Sequence, residues 1–166
     1  GQIVDDLRSA PLYIGKPQVM VADFLAMPRQ FVANSGTDAD FCTDSANPCK
    51  TINYALSKAV PGGEIRVAAG LYPEQILIPP TTPVTLTGGF TLTNWITPDW
   101  TTNRTVLDGQ KAFRPLTINA DNVQVNGFIV RNGNVTNSSL GGGFGGGIFI
   151  GSVNQVEVAT LLILWL

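Results

Sequence analysis

Few side chains in this sequence can do chemistry, and their types are restricted. Histidine is absent. Its absence removes the commonest general base, the Ser-His-Asp triad and imidazole-ligated metals together. Catalysis would have to rest on carboxylates, Arg, Lys or Tyr. In the β-rich part these are Asp99, Asp108, Asp121 and Glu157, with Arg104, Arg114, Arg131 and Lys111. Glycoside cleavage needs two carboxyl groups at a set separation, and sequence alone places no pair of these acids at it. Asp108-Gly109 and Asp121-Asn122 read as turns, in which Asp accepts backbone hydrogen bonds. Arg131 follows a strand and is expected to face solvent. Asp108 and Arg131 stand as candidate substrate contacts, and no catalytic residue, metal site or cofactor is assigned.

"TNWITPDWTTNRT" supplies two more candidate substrate contacts, Trp95 and Trp100. Indoles exposed on a loop can stack on sugar rings. The competing and favoured reading folds them back over the strand edges. The sequons at Asn103, Asn134 and Asn137 matter only in a eukaryotic secretory pathway. They arise easily by chance in a chain so rich in Asn and Thr.

"LGGGFGGGIF", residues 140–149, formally holds G-x-G-x-x-G at Gly141, Gly143 and Gly146. A dinucleotide loop must follow a strand and open a helix. Here a polar loop precedes the glycines, and Ile148-Phe149-Ile150, a strand-forming triplet, follows them. The run reads instead as a turn between closely packed strands.

Cys42 and Cys49 are the only cysteines. Two thiols without histidine cannot complete a four-ligand zinc site. A short-loop disulfide is the better reading than free thiols. It would contribute roughly 2–3 kcal/mol by the chain-entropy model and place the protein outside the cytosol.

Such groups need elements to position them, and 166 residues suffice for one domain with a core. Charged residues are 13% of the chain and the net charge is −2. With no basic run, no nucleic-acid partner is expected. No charged segment followed by an apolar stretch stands at the start, so no leader peptide is read. The final run "VATLLILWL" is too short for a transmembrane helix. It reads as one more buried strand, or as the point where a longer protein is cut or its frame lost.

Residues 1–30 read as a poorly defined extension, and 31–63 as a cap: a short strand at Phe31-Val32-Ala33, the Cys loop and a helix over 50–60. Ile52, Ala55, Leu56, Ala59 and Val60 share one face of that helix. Asn47 or Thr51 can open it, and Pro61-Gly62-Gly63 stops it. Beyond Gly63 the period changes to short strands: 65–67, 76–78, 84–86, 105–107, 116–118, 123–125, 128–130, 148–150 and 156–158. Turn signals such as Gly88-Gly89, Asn126-Gly127 and Asn132-Gly133 separate them. Val67, Leu86, Val106 and Val125 recur about every twenty residues, within the range of stacked repeats. Apolar outer residues flanking a polar middle one suit a narrow core enclosed by coiled short strands. An antiparallel sandwich is the alternative. The expected fold is all-β, a parallel solenoid of about four coils over 64–166, with its N-terminal end covered by the helix and its C-terminal end truncated.

"NPCKTINYALSKAVPGGEIRVAAGLYPEQILI" resembles the opening of secreted right-handed parallel β-helix proteins of the pectin-lyase-like class. The likeness runs through Lys50-Thr51-Ile52, Ala55-Leu56, Pro61-Gly62, Ile65, Val67-Ala68, Gly70 and Tyr72. "GGGIFI" resembles the G-G-A-I repeats of polymorphic outer-membrane-protein adhesins. The resemblance spans about residues 31–150 and rests on structural motifs. It implies an N-terminal fragment of an extracellular or cell-surface, outer-membrane-associated protein, adhesin-like or structural and non-enzymatic, meeting glycans or host cell-surface proteins. The alternatives it leaves open are the first part of a polysaccharide lyase or glycosidase, for which alone calcium would be a cofactor, and a carbohydrate-binding module. An uncapped C-terminal edge would also promote self-association.

Overall fold

The structure, a computed structural model, describes residues 28–135, 146–160 and 162–164. The extension assigned to 1–30 falls almost wholly outside the described residues. So do most of the glycine run and the sequon at Asn137.

The chain is mostly β, with one short helix among the described residues. The strands are β1 (Arg29–Val32), β2 (Gly63–Ala68), β3 (Gly70–Tyr72), β4 (Ile76–Ile78), β5 (Val84–Phe90), β6 (Thr105–Asp108), β7 (Leu116–Ile118), β8 (Gln124–Asn126), β9 (Phe128–Arg131), β10 (Ile148–Ile150), β11 (Glu157–Ala159) and β12 (Leu162–Leu164); helix α1 is Ile52–Lys58. They form three sheets, in the orders β1-β2-β5-β8-β11, β3-β6-β9-β12 and β4-β7-β10. From β2 onward the chain visits the three sheets in rotation. Every pairing between these strands is parallel. A meander of tight hairpins makes antiparallel pairs, so the sandwich alternative is excluded.

Side-chain alternation explains the core. In β4, Ile76 and Ile78 are buried and Leu77 points out. In β2, Ile65 and Val67 are buried around a half-buried Arg66. Register then stacks like on like: Ile65 lies beside Leu86, Leu86 beside Val125, and Val125 beside Val158. Ile65, Leu86 and Val125, with Leu107, Leu116, Ile118, Phe128 and Val130, belong to one buried cluster, and the partly buried Val158 packs against it. Each fully buried aliphatic contributes about 1.5–3 kcal/mol before entropy is counted. Val106 does not join that column. It pairs with Leu71 and Ile129 in another sheet, so the apparent twenty-residue repeat mixes two sheets.

Helix α1 packs on β1, β2 and β4, at the end of the stack where those strands lie. Ile52, Ala55 and Leu56 are its buried face. Thr51 is the N-cap, its hydroxyl accepting from Tyr54 N. The helix ends at Lys58 because Ala59 is extended. Val60 therefore leaves the apolar face and is exposed, contrary to the expectation from spacing. Glu74 also holds the helix start: Ile52 N and Asn53 N each donate to its carboxylate at 3.0 Å. Burial pushes the Glu74 carboxyl up, against the opposing N–H groups of Asn53 and Ile52.

β3 is not among the strands expected from sequence. The Tyr72 hydroxyl donates to Ala68 O at 3.0 Å across the corner, which gives the Gly-x-Tyr spacing a mechanical reason. β12 forms within the apolar final run, but Leu162 and Ile163 are 48% and 44% exposed. The expectation of a buried strand is corrected on that point. No helix among the described residues is long and apolar enough to cross a membrane.

Candidate functional site

Asp108 and Arg131 end adjacent parallel strands and are direct register partners. Arg131 Nε donates to Asp108 Oδ2 at 2.9 Å, Asn132 Nδ2 to Oδ1 at 3.0 Å, and Gln110 N to Oδ1 at 2.8 Å. Burial would raise the Asp108 pKa. The donors from Gln110, Asn132 and Arg131 outweigh it and hold the carboxyl below its usual range. The sequence predicts that Arg131 faces solvent; the side chain is partly exposed, but its guanidinium is held by Asp108. The two candidates meet, but they bind each other and a turn.

The turns beyond them are stacked glycines. A β-carbon on Gly109 would lie 2.9 Å from Gly133 Cα, and one on Gly133 would lie 1.9 Å from Gly146 O. Glycine is required at such an approach because no side chain fits between the chains. The contact explains why residue 133 is glycine, since the backbone of Gly146 and Gly147 fills the space where its side chain would stand.

The tryptophans divide. Trp95 is 8% exposed and packs edge-on to Phe31 at 5.2 Å, with Phe90 at 6.1 Å. It forms a small second core with Ala33, Ala68 and Phe90, so its candidacy as a sugar platform is corrected. Its carbonyl accepts from Arg66. That guanidinium also pairs with Glu64 and lies over the Phe90 ring. Trp100 is 40% exposed. Its Nε1 donates to Gly88 O at 3.1 Å, and its ring covers Gly89 and Gly127. With Arg104, Ile129 and Leu162 it borders an open groove of about 350 Å³.

Of the remaining acids and bases, Asp99 and Asp121 bind backbone amides and Arg114 is buried. Asp99 accepts from Thr101 Oγ1 and from the Thr101 and Thr102 amides, and the Thr101 hydroxyl leads the donors that push its pKa down to about 2. Asp121 accepts from Asn154 N at 2.7 Å, so its bond joins two rungs rather than closing its own turn. Arg114 is fully buried, with its guanidinium 4.9 Å from the Phe149 ring centre; burial lowers its pKa. Arg104 and Glu157 are exposed. At the sequon beginning at Asn103, the Asn103 amide donates to Gly89 O and the buried Thr105 hydroxyl accepts from Gly89 N. Among the described residues no three Cys, Asp or Glu side chains gather as a metal site.

Cys42 and Cys49 form a disulfide. A groove of about 630 Å³ lies beside it, bordered by Thr37, Asp40, Asp44 and Leu92. Asp44 accepts from Asn47 Nδ2 and Ala46 N, which lower its pKa.

No family model, curated protein or solved structure matches the chain.

The groups that sequence reading missed are Glu74 and the Glu64–Arg66 pair. Glu74 comes from a turn remote in sequence, so no local signal marks it as a helix cap. Glu64 and Arg66 alternate on one strand face, a signal that was present.

Proposed function

We infer that the three sheets are the faces of a right-handed parallel β-helix. On this reading the chain is a segment of an extracellular or cell-surface protein with an adhesin-like or scaffolding role. The observation that carries it is the rotation of successive strands among three parallel sheets with α1 across one end. Such a stack offers long lateral faces and corner loops for contact, and each rung rests on the last. The likeness to secreted pectin-lyase-like and outer-membrane adhesin sequences supports the same reading. The disulfide fits an oxidising setting. Asp108, Arg131 and Asp99 are engaged in turns and rungs, which suits a framework more than a reaction centre.

The half-exposed Trp100 ring favours carbohydrate binding as a second reading, resting on that residue and not on Trp95. The discriminating experiment applies the purified chain to a glycan array, to intact cells and to uronate polymers with and without calcium. The scaffold reading predicts retention on cells without polymer cleavage. Glycan binding lost in Trp100→Ala would favour the second reading. Cleavage lost in Asp108→Asn would replace both with the lyase alternative.

A further inference from the structure

We propose that the Cys42–Cys49 bond is a redox-sensitive latch holding a short loop over the outer edge of β1. β1 is the edge strand of its sheet, with β2 on one side. The other side is covered by the half-cystines themselves. Phe31 N donates to Cys42 O at 2.7 Å, Cys49 N to Phe31 O at 2.9 Å and Ala33 N to Cys49 O at 2.9 Å. Val32 and Cys49 form a parallel bridge. Cys49 is thus a one-residue rung laid on the end of the sheet, and the disulfide draws Cys42 to the same edge. Buried Gln30 completes the cover, its amide donating to Phe41 O at 3.1 Å and to Ala55 O of α1 at 3.0 Å. The lid therefore has two parts: α1 over the apolar core, and the disulfide loop over the strand edge.

The covalent bond decides whether the second part stays closed. Both half-cystines are buried, but Phe41 and Thr43–Asn47 are exposed. Cys42 has φ +60°, a left-handed conformation that a non-glycine residue leaves when freed. A dithiol reductant would pass two electrons and two protons to the bond. The Cys42–Cys49 S–S bond breaks, two thiols form, and the reductant closes its own disulfide. The loop then gains conformational freedom, and the amides of Phe31, Ala33 and Cys49 open to water. An unpaired strand edge is also a template for pairing with another chain. The order of this end of the stack thereby follows the redox setting, while the central strands do not.

Amide exchange followed by NMR on the whole chain, with and without dithiothreitol, tests this. The expected result is exchange at Phe31, Ala33 and Cys49 faster by at least about tenfold, with β5 and β8 unchanged. The double variant C42S/C49S should show the same pattern without reductant. Unaltered exchange at Phe31 and Ala33 in either case would overturn the proposal, since the loop would hold without the bond. Equal acceleration throughout β5 and β8 would also overturn it, since the bond would then support the whole fold.

Discussion

The indole of Trp100 occupies the space where Gly127 would carry a side chain: a β-carbon there would lie 2.0 Å from Trp100 Cδ1. The same ring covers Gly89, where the distance would be 2.5 Å. Gly127 directly follows β8, and Gly89 lies within β5, its neighbour in the sheet, with φ of +74° and +87°. One side chain from loop 91–104 thus clasps two rungs. Gly127→Ala should cost about 2–4 kcal/mol through displacement of the ring and left-handed strain, lowering Tm by several degrees. Combining it with Trp100→Ala should recover part of that loss, visible as coupling in a double-mutant cycle followed by urea unfolding.

The glycine stack predicts a contrast between neighbours. Gly133→Ala would press a methyl group into Gly146 O, whereas a β-carbon on Gly147 meets nothing nearer than 3.5 Å. The first should cost more than about 2 kcal/mol and the second less than about 0.5 kcal/mol. Thermal unfolding of the two variants in parallel checks this.

The Asp108–Arg131 rung predicts unequal losses from its two ends. Asp108→Ala strands the Gln110 amide, the Asn132 amide and the guanidinium, and should cost about 1–2 kcal/mol. Arg131→Gln removes a partly exposed ion pair and should cost no more than about 1 kcal/mol. Chemical denaturation of both variants measures the difference.

Acid should weaken the fold through groups already in place. Asp44, Asp99 and Asp108 have folded pKa values below their ordinary 3.8, that of Asp99 about 2. A depressed pKa contributes stability above the unfolded value that is lost as pH falls through the folded one. Glu74, raised by burial, acts in the opposite sense: its contribution is present below its ordinary 4.5 and lost as pH rises through its folded value. Three lowered groups against one raised group predict declining stability from about pH 4 toward pH 2. Asp99→Asn should shallow that decline in urea midpoints taken across the range.

Much of the β framework was legible because β-branched triplets with buried outer residues carry their own period. Ile76-Leu77-Ile78 and Leu116-Thr117-Ile118 are strands at the expected positions. Helix α1 and the disulfide were legible for similarly local reasons. Gly70–Tyr72 was not, because glycine reads as a turn and the triplet lacks alternation. Nor was the placement of Val106, since loop 91–104 breaks any constant spacing between rungs. At the candidate site, composition selected Trp95, Trp100, Asp108 and Arg131 but could not say what each faces. That depends on register and on loop return. Register pairs Asp108 with Arg131, and the return of the loop buries Trp95 while laying Trp100 over two glycines.

The most direct test of the parallel, three-sheet arrangement is a set of interstrand NOEs on uniformly labelled protein. The fold predicts backbone contacts linking Leu86 to Val125 and Val106 to Ile129 in parallel register. Strong Hα–Hα contacts between strands joined by a turn, such as β8 with β9, would signify antiparallel hairpins and contradict it.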